Sequence, residues 1–186
     1  MNIGASQPSD YGLYFAWGDT QGYTAEQVGS GEGQKYFGWA DYKYGDGTSS
    51  PGYTGMTKYN ATDGKTVLEA SDDAAVANWG GSWRMPTTAE FQELYENCTY
   101  IWTTMNGVDG MLFTSNINGN TLFFPAAGRC FDGSVEDVGY SGNCWSSSLS
   151  ADNRQSAYSL LFNSDDAYWD SLYSRRYGFT VRPVIG

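Results

Sequence analysis

Three cysteines (Cys98, Cys130 and Cys144) and two adjacent acidic pairs (Asp72-Asp73 and Asp165-Asp166) are the residues of this 186-residue chain whose types suit covalent, redox or metal chemistry. Histidine is absent. That removes the commonest general base, the commonest zinc ligand and any imidazole-based triad. An odd cysteine count allows at most one disulfide within the chain. Cys130 and Cys144 can form it if their alpha carbons lie within about 7 Å. Neither acidic pair has the spacing of a calcium-binding loop, and Asp72-Asp73 reads better as a solvated helix start. Glu90 is committed to a helix cap. Catalysis would have to rest on a thiol or on carboxylates that form no obvious pair. The sequence therefore predicts no enzyme, no cofactor and no obligate metal.

A second kind of chemistry is recognition. Between the late strand-like segments stand Tyr140, Asn143, Asp152, Asn153, Arg154, Ser156, Asp166, Tyr168, Trp169, Asp170, Tyr173 and Arg175. Tyr, Ser, Asn and Asp with occasional Trp and Arg is the composition of a paratope. Rigid aromatics give contact area at low entropic cost, and small polar groups adapt their hydrogen bonds. These twelve residues are the predicted ligand-binding face. Tyr158 and Tyr177 fall in strand patterns and read as core, as do Trp79, Trp83, Trp145 and Phe179. Arg84 and Arg182 read as framework ion pairs or carbonyl clamps, because a buried guanidinium needs partners.

Short helices and strands must hold these residues. Thr87 and Glu90 form a T-x-x-E capping box, and Phe91, Leu94 and Tyr95 give the buried stripe of a helix ending near Asn97. A shorter helix is expected over about Asp72–Asn78, capped by Ser71 or Asp72. Residues 14–17, 111–115, 121–124, 144–148, 158–163 and 177–184 read as strands, with Asn118-Gly119-Asn120 as a hairpin turn. Residues 19–34 and 45–57 read as loops. Glycine is 24 of 186 residues, well above the usual ~7%, and charged residues are only 17%. This suits a single α+β domain over residues 1–186 rather than a helical bundle. A net charge of −11 disfavours nucleic acid and anionic membrane surfaces as partners. No apolar run approaches the ~20 residues of a membrane span.

Longer motifs carry a resemblance. Gly80-Gly81-Ser82-Trp83-Arg84-Met85-Pro86-Thr87-Thr88-Ala89-Glu90-Phe91 resembles the W-R-L-P-T-x-A-E-W signature of the formylglycine-generating-enzyme-like branch of C-type-lectin folds. Asn2-Ile3-Gly4-Ala5, Tyr14-Phe15-Ala16-Trp17-Gly18, Phe124-Pro125-Ala126-Ala127-Gly128, Cys144-Trp145-Ser146-Ser147-Ser148 and Gly178-Phe179-Thr180-Val181-Arg182-Pro183-Val184 resemble the Fibrobacter-type paralogous domain of gut Bacteroidetes surface proteins. Residues 139–182 are similar to the variable region of proteins diversified by retroelements, phage receptor-binding tips among them. In that mutagenesis only template adenines change, so a template Asn codon never becomes Lys, Glu or Met. None of those three occurs from Val138 to Gly186, while Gln155 and Trp169 do not fit an Asn template.

The resemblance implies a C-type-lectin-like fold and a cell-surface or extracellular setting. It also implies a protein or glycan ligand, with oligomerisation as in related phage tips. Met1-Asn2-Ile3-Gly4 runs straight into domain-like sequence, which suggests the C-terminal part of a longer protein. In the family a partner of Cys98 often lies near Tyr59-Asn60, where this chain has Asn60. Cys130 and Cys144 do not reproduce the close cysteine pair of the copper-binding enzymes. A structural or adhesion domain without diversification, and a divergent member of the enzyme branch, are the competing readings.

Overall fold

The computed structural model describes residues 1–52 and 54–186; Tyr53, inside the expected 45–57 loop, lies outside the described residues. Among the described residues there are two α-helices, two single-turn 3-10 helices (Ala25–Gln27 and Ala70–Asp72) and ten strands. Helix α1 is Ala74–Trp79 and α2 is Thr88–Asn97. The strands are β1 (Trp83–Arg84), β2 (Cys98–Met105), β3 (Val108–Ser115), β4 (Thr121–Pro125), β5 (Arg129–Phe131), β6 (Ser134–Glu136), β7 (Ser141–Leu149), β8 (Ser156–Asn163), β9 (Ala167–Ser174) and β10 (Val184–Ile185). They pair antiparallel in four small sheets, ordered β2-β3-β4, β7-β8-β9, β5-β6 and β1-β10. The α+β class holds. Among the described residues no helix is long and apolar enough to cross a membrane.

Local sequence explains the helix starts. At α2 the Thr87 hydroxyl accepts from the Glu90 amide, and the Glu90 carboxylate accepts from the Thr87 amide at 2.8 Å. This reciprocal cap satisfies two amides that have no partner inside the helix. Arg84 donates two hydrogen bonds of 2.7 Å to the same carboxylate, so Arg84 is a framework ion pair. That contact, with the Thr87 groups, lowers the Glu90 pKa to about 2. Replacing Glu90 by alanine removes cap and ion pair together. It should lower stability by about 1–2 kcal/mol, read as a lower urea midpoint; an unchanged midpoint would show the cap to be idle. Helix α1 starts two residues later than expected. Asp73, not Ser71 or Asp72, is its cap, accepting from the Ala75 and Val76 amides. Asp72 is committed elsewhere, to lysine and tyrosine side chains.

The β7-β8-β9 sheet divides two cores. Residues opposite each other on paired strands share a face. The rows Trp145–Ser159–Ser171 and Leu149–Ala157–Tyr173 face one side; Cys144–Leu160 and Phe162–Ala167 face the other. The first side closes an aromatic core with Tyr14, Phe15, Trp17, Phe37, Tyr42, Tyr59 and Phe179. Its buried indoles are satisfied: Trp145 donates to the Phe15 carbonyl and Trp17 to the Ser146 carbonyl, both at 2.9 Å. The second side packs under α2 and the β2-β3-β4 sheet, with Phe91, Met111, Phe113 and Phe124.

Four differences from the sequence reading concern strands. Residues 14–17 form no strand; only Tyr14 and Phe15 are held, by single bridges to Tyr23 and Phe179. Residues 177–184 form no long strand. They touch their neighbours through single bridges, Phe179 to Phe15 and Thr180 to Cys144, before β10. Pro183 cannot donate to a ladder there. Strand β2 follows α2 with no glycine or proline between them, so no breaker marks the boundary. Residues 167–174, a loop in the sequence reading, form β9, which carries a β-bulge. Tyr168 pairs with Leu161 and Ser171 with Ser159, leaving Trp169 and Asp170 opposite Leu160 alone.

Candidate functional site

The twelve predicted residues do not form one patch. Ser141 pairs with Asn163 at one end of the sheet, and Leu149 with Ala157 at the other. Strands of this length hold those ends about 25 Å apart. Tyr140, Asn143, Asp166, Tyr168 and Trp169 lie toward the first end. Asp152, Asn153, Arg154, Ser156, Tyr173 and Arg175 lie toward the second, and Asp170 sits between them on β9.

Two of the twelve are interior and are corrected here. Arg175 is 0% exposed. It donates to the Tyr42 hydroxyl at 2.9 Å and to the carbonyls of Arg154, Lys58 and Tyr59 at 2.8, 3.0 and 3.3 Å. Its guanidinium lies over the rings of Trp17 and Tyr42 at 5.0 and 5.3 Å. It is a carbonyl clamp, the role the sequence reading gave to Arg182. Arg182 plays it too, donating to the Phe123 carbonyl at 2.6 Å and to Asn2 at 3.0 Å. Asn143 is 1% exposed, inside the sheet, and its amide makes no hydrogen bond to the described residues.

Several others serve the framework while partly exposed. Trp169 packs against the second core and Tyr173 against the first, edge-on to Phe179 at 5.1 Å. Asn153 builds the β7–β8 turn: its side chain accepts from the Gln155 amide and donates to Ser156. Arg154 ties that turn to the Lys65 carbonyl at 2.7 Å. Asp166 accepts from the Tyr100 hydroxyl at 2.6 Å. That bond, with the Ala167 amide, lowers the Asp166 pKa and raises that of Tyr100. Tyr158 and Tyr177 are half-buried, Tyr177 stacked on Phe131 at 5.0 Å.

What remains free is narrower. Tyr140 is 79% exposed on the turn before β7, and Asp152 is exposed on the β7–β8 turn. On β9, Tyr168 is 44% exposed, Leu172 is 48% exposed and Asp170 lies exposed between them. Leu172 pairs with Tyr158 on β8. Strand β9 is the outer strand of its sheet. Tyr168 pairs with Leu161 and Leu172 with Tyr158, so across the bulge the two stand on opposite faces of the sheet, with Asp170 exposed between them at the outer edge. An aromatic ring, a carboxylate and an aliphatic side chain therefore follow one another along a strand whose far edge pairs with no other described strand. Leu172 was outside the predicted set, and no apolar–polar alternation along β9 marks it.

The cysteines are all free. Cys130 lies in the first core and Cys144 in the second, so the sheet stands between them and no disulfide joins them. Burial raises the pKa of all three thiols, Cys98 included, which keeps them protonated and poorly nucleophilic. Trp145 and Phe179 are core as expected, but Trp79 and Trp83 are only half-buried. They meet edge-to-face at 4.8 Å and wall a groove of about 900 Å³ together with Leu94, Cys98, Leu122 and Ile185. The groove lies between α2, the β3–β4 hairpin and the β1–β10 ribbon, where apolar groups would be accepted. Trp83 is thus a groove wall rather than core. No family model matches the chain, and no curated protein or solved structure matches it either.

Proposed function

We propose that the chain is a recognition module that binds a protein or glycan on a cell surface through the exposed side chains of β9. The observation that carries this reading is the sequence Tyr168, Asp170, Leu172 on an outer strand, two of them large apolar side chains left open to solvent. Hot spots favour a rigid aromatic anchor with apolar and charged neighbours. Strand β9 offers these groups on an element anchored by Trp169 in the second core on one face and by Tyr173 in the first core on the other.

The same reading takes the α+β architecture as C-type-lectin-like and the chain as an extracellular or surface domain whose outer strand β9 is open to retroelement-type diversification. Protonated, buried thiols and the lack of histidine favour recognition over catalysis. The acidic surface favours a partner other than nucleic acid or an anionic membrane.

The test compares the wild-type chain with a Tyr168→Ala/Leu172→Ala double variant on a glycan array and an array of cell-surface ectodomains. Both positions are exposed, so the variant should unfold within about 1 kcal/mol of wild type. A wild-type hit should weaken roughly 30-fold or more, the loss of one hot-spot residue at about 2 kcal/mol. Hits that survive the double substitution unchanged, or arrays with no hit, would remove β9 as the binding surface.

A further inference from the structure

The N-terminal third holds a second concavity that no predicted site residue lines. It is a cleft of about 270 Å³ bounded by Asp19, Thr20, Gln21, Tyr23, Lys35, Asp41 and Lys43. Lys35 is buried at its base. Its Nζ donates to the Asp41 carbonyl at 2.9 Å and lies 3.4 Å from the Asp41 carboxylate and 3.5 Å from that of Asp19. One hydrogen bond and two ion pairs thus hold the ammonium between Asp41 and Asp19. The Asp41 carboxylate is occupied as well, accepting from the amides of Tyr36, Phe37 and Gly38.

Asp19 is different. Its side chain is only 12% exposed, and its one ion-pair partner among the described residues is Lys35 at 3.5 Å. No amide or hydroxyl of the described residues donates to it. A carboxylate offers about four acceptor positions, so most of those on Asp19 are open toward the cleft. Burial raises its pKa despite Lys35 and Lys43, as expected for a carboxylate short of donors. On the rim, Lys43 gives two protons to the Gly18 carbonyl and Asp72 at 3.2 and 3.1 Å and keeps a third. The Thr20 and Gln21 side chains make no hydrogen bonds to the described residues.

Charge decides the ligand class. Asp19 and Asp41 balance Lys35 and Lys43, so the cleft is near neutral within an acidic chain. An anion would meet the Asp19 carboxylate, and a cation would meet Lys35. An uncharged ligand avoids both, but must donate to Asp19 while accepting from Lys43 or Gln21. Adjacent hydroxyl groups do both at once, and the Tyr23 ring offers an apolar wall for the carbon face of a sugar ring. The volume is at the small end of ligand sites. We propose that this cleft binds an uncharged polyhydroxylated ligand of single-sugar size, held by Asp19, Gln21, Lys43 and Tyr23.

The experiment titrates ¹⁵N-labelled protein with D-glucose, D-galactose, D-mannose, L-fucose and myo-inositol, with sodium phosphate and ethylamine as charged controls. At least one polyol should shift the amides of residues 19–23 and 35–43 saturably, and the controls should not. Asp19→Asn should weaken that binding about tenfold or more. Gln21→Ala, at an exposed position where folding is not at risk, should weaken it several-fold. The proposal is overturned if no polyol moves these amides, if a charged probe moves them equally, or if both variants bind as the wild type does. Shifts confined to residues 167–174 would overturn it too, while supporting the separate reading of β9.

Discussion

Replacing Arg175 by alanine is expected to destabilise the protein by about 4 kcal/mol. The guanidinium is buried, donates to Tyr42 and to three backbone carbonyls, and lies against Trp17 and Tyr42. No carboxylate pairs with it among the described residues; carbonyl dipoles and ring faces stabilise the charge. Truncation would leave a cavity among aromatic rings and three carbonyls without their donor. Lysine should recover only part of the loss, because a compact ammonium can neither reach these acceptors in one plane nor stack. Urea unfolding followed by tryptophan fluorescence reads the difference directly. Arg154→Ala is the control: it loses one hydrogen bond, to the Lys65 carbonyl, and should cost about 1 kcal/mol. Equal stability of Arg175→Ala and wild type would return Arg175 to the surface.

The second large effect belongs to Asp72. Its carboxylate is buried and accepts from the Tyr59 hydroxyl at 2.6 Å, from Lys43 at 3.1 Å and from Lys58. Burial alone would raise its pKa, but hydrogen bonds from Lys58, Tyr44, Tyr59 and Lys43 outweigh it and hold the carboxyl well below the usual range. A folded pKa below the unfolded value of about 3.9 means that the unfolded chain binds the proton first. The stabilisation is complete above about pH 5 and is lost as pH falls through 4 toward the folded pKa. Asp72→Ala should cost about 3 kcal/mol at pH 7, since it removes the buried acceptor shared by Lys43, Lys58 and the Tyr59 hydroxyl and leaves that hydroxyl without an acceptor. Asp72→Asn should flatten the acid limb: between pH 4 and 2 its stability should fall less steeply than wild type, by up to about 1.4 kcal/mol per pH unit. Parallel acid limbs would show that Asp72 does not carry this dependence.

The sequence made some parts of this architecture legible and hid others for physical reasons. The α2 cap was readable because Thr87 and Glu90 act within one turn. The carbonyl clamp at Arg182 was readable from its apolar surroundings. Arg175 was not, because it stands in Ser174-Arg175-Arg176-Tyr177, where its neighbours look like a polar loop and its acceptors lie far away in sequence, at Tyr42, Lys58 and Tyr59. Asn143 was misplaced for a related reason. A single Asn beside glycine and cysteine reads as a turn, yet it sits on β7 within the sheet. Strand β9 shows no apolar–polar alternation in Ala167-Tyr168-Trp169-Asp170-Ser171-Leu172-Tyr173-Ser174, because across the bulge at Trp169-Asp170 the side chains change face. The cleft at Asp19 and Lys35 is assembled from separate turns of an aromatic, loop-rich segment, and no local spacing announces it.

Hydrogen–deuterium exchange on a wild-type array hit tests the central claim most directly. With that partner bound at saturation, amides of Ala167–Ser174 should gain protection, and the Tyr168→Ala/Leu172→Ala variant should lose it. Protection confined to the β7–β8 turn or to the groove walled by Trp79 and Trp83, with β9 exchanging as in the free protein, would contradict recognition through β9.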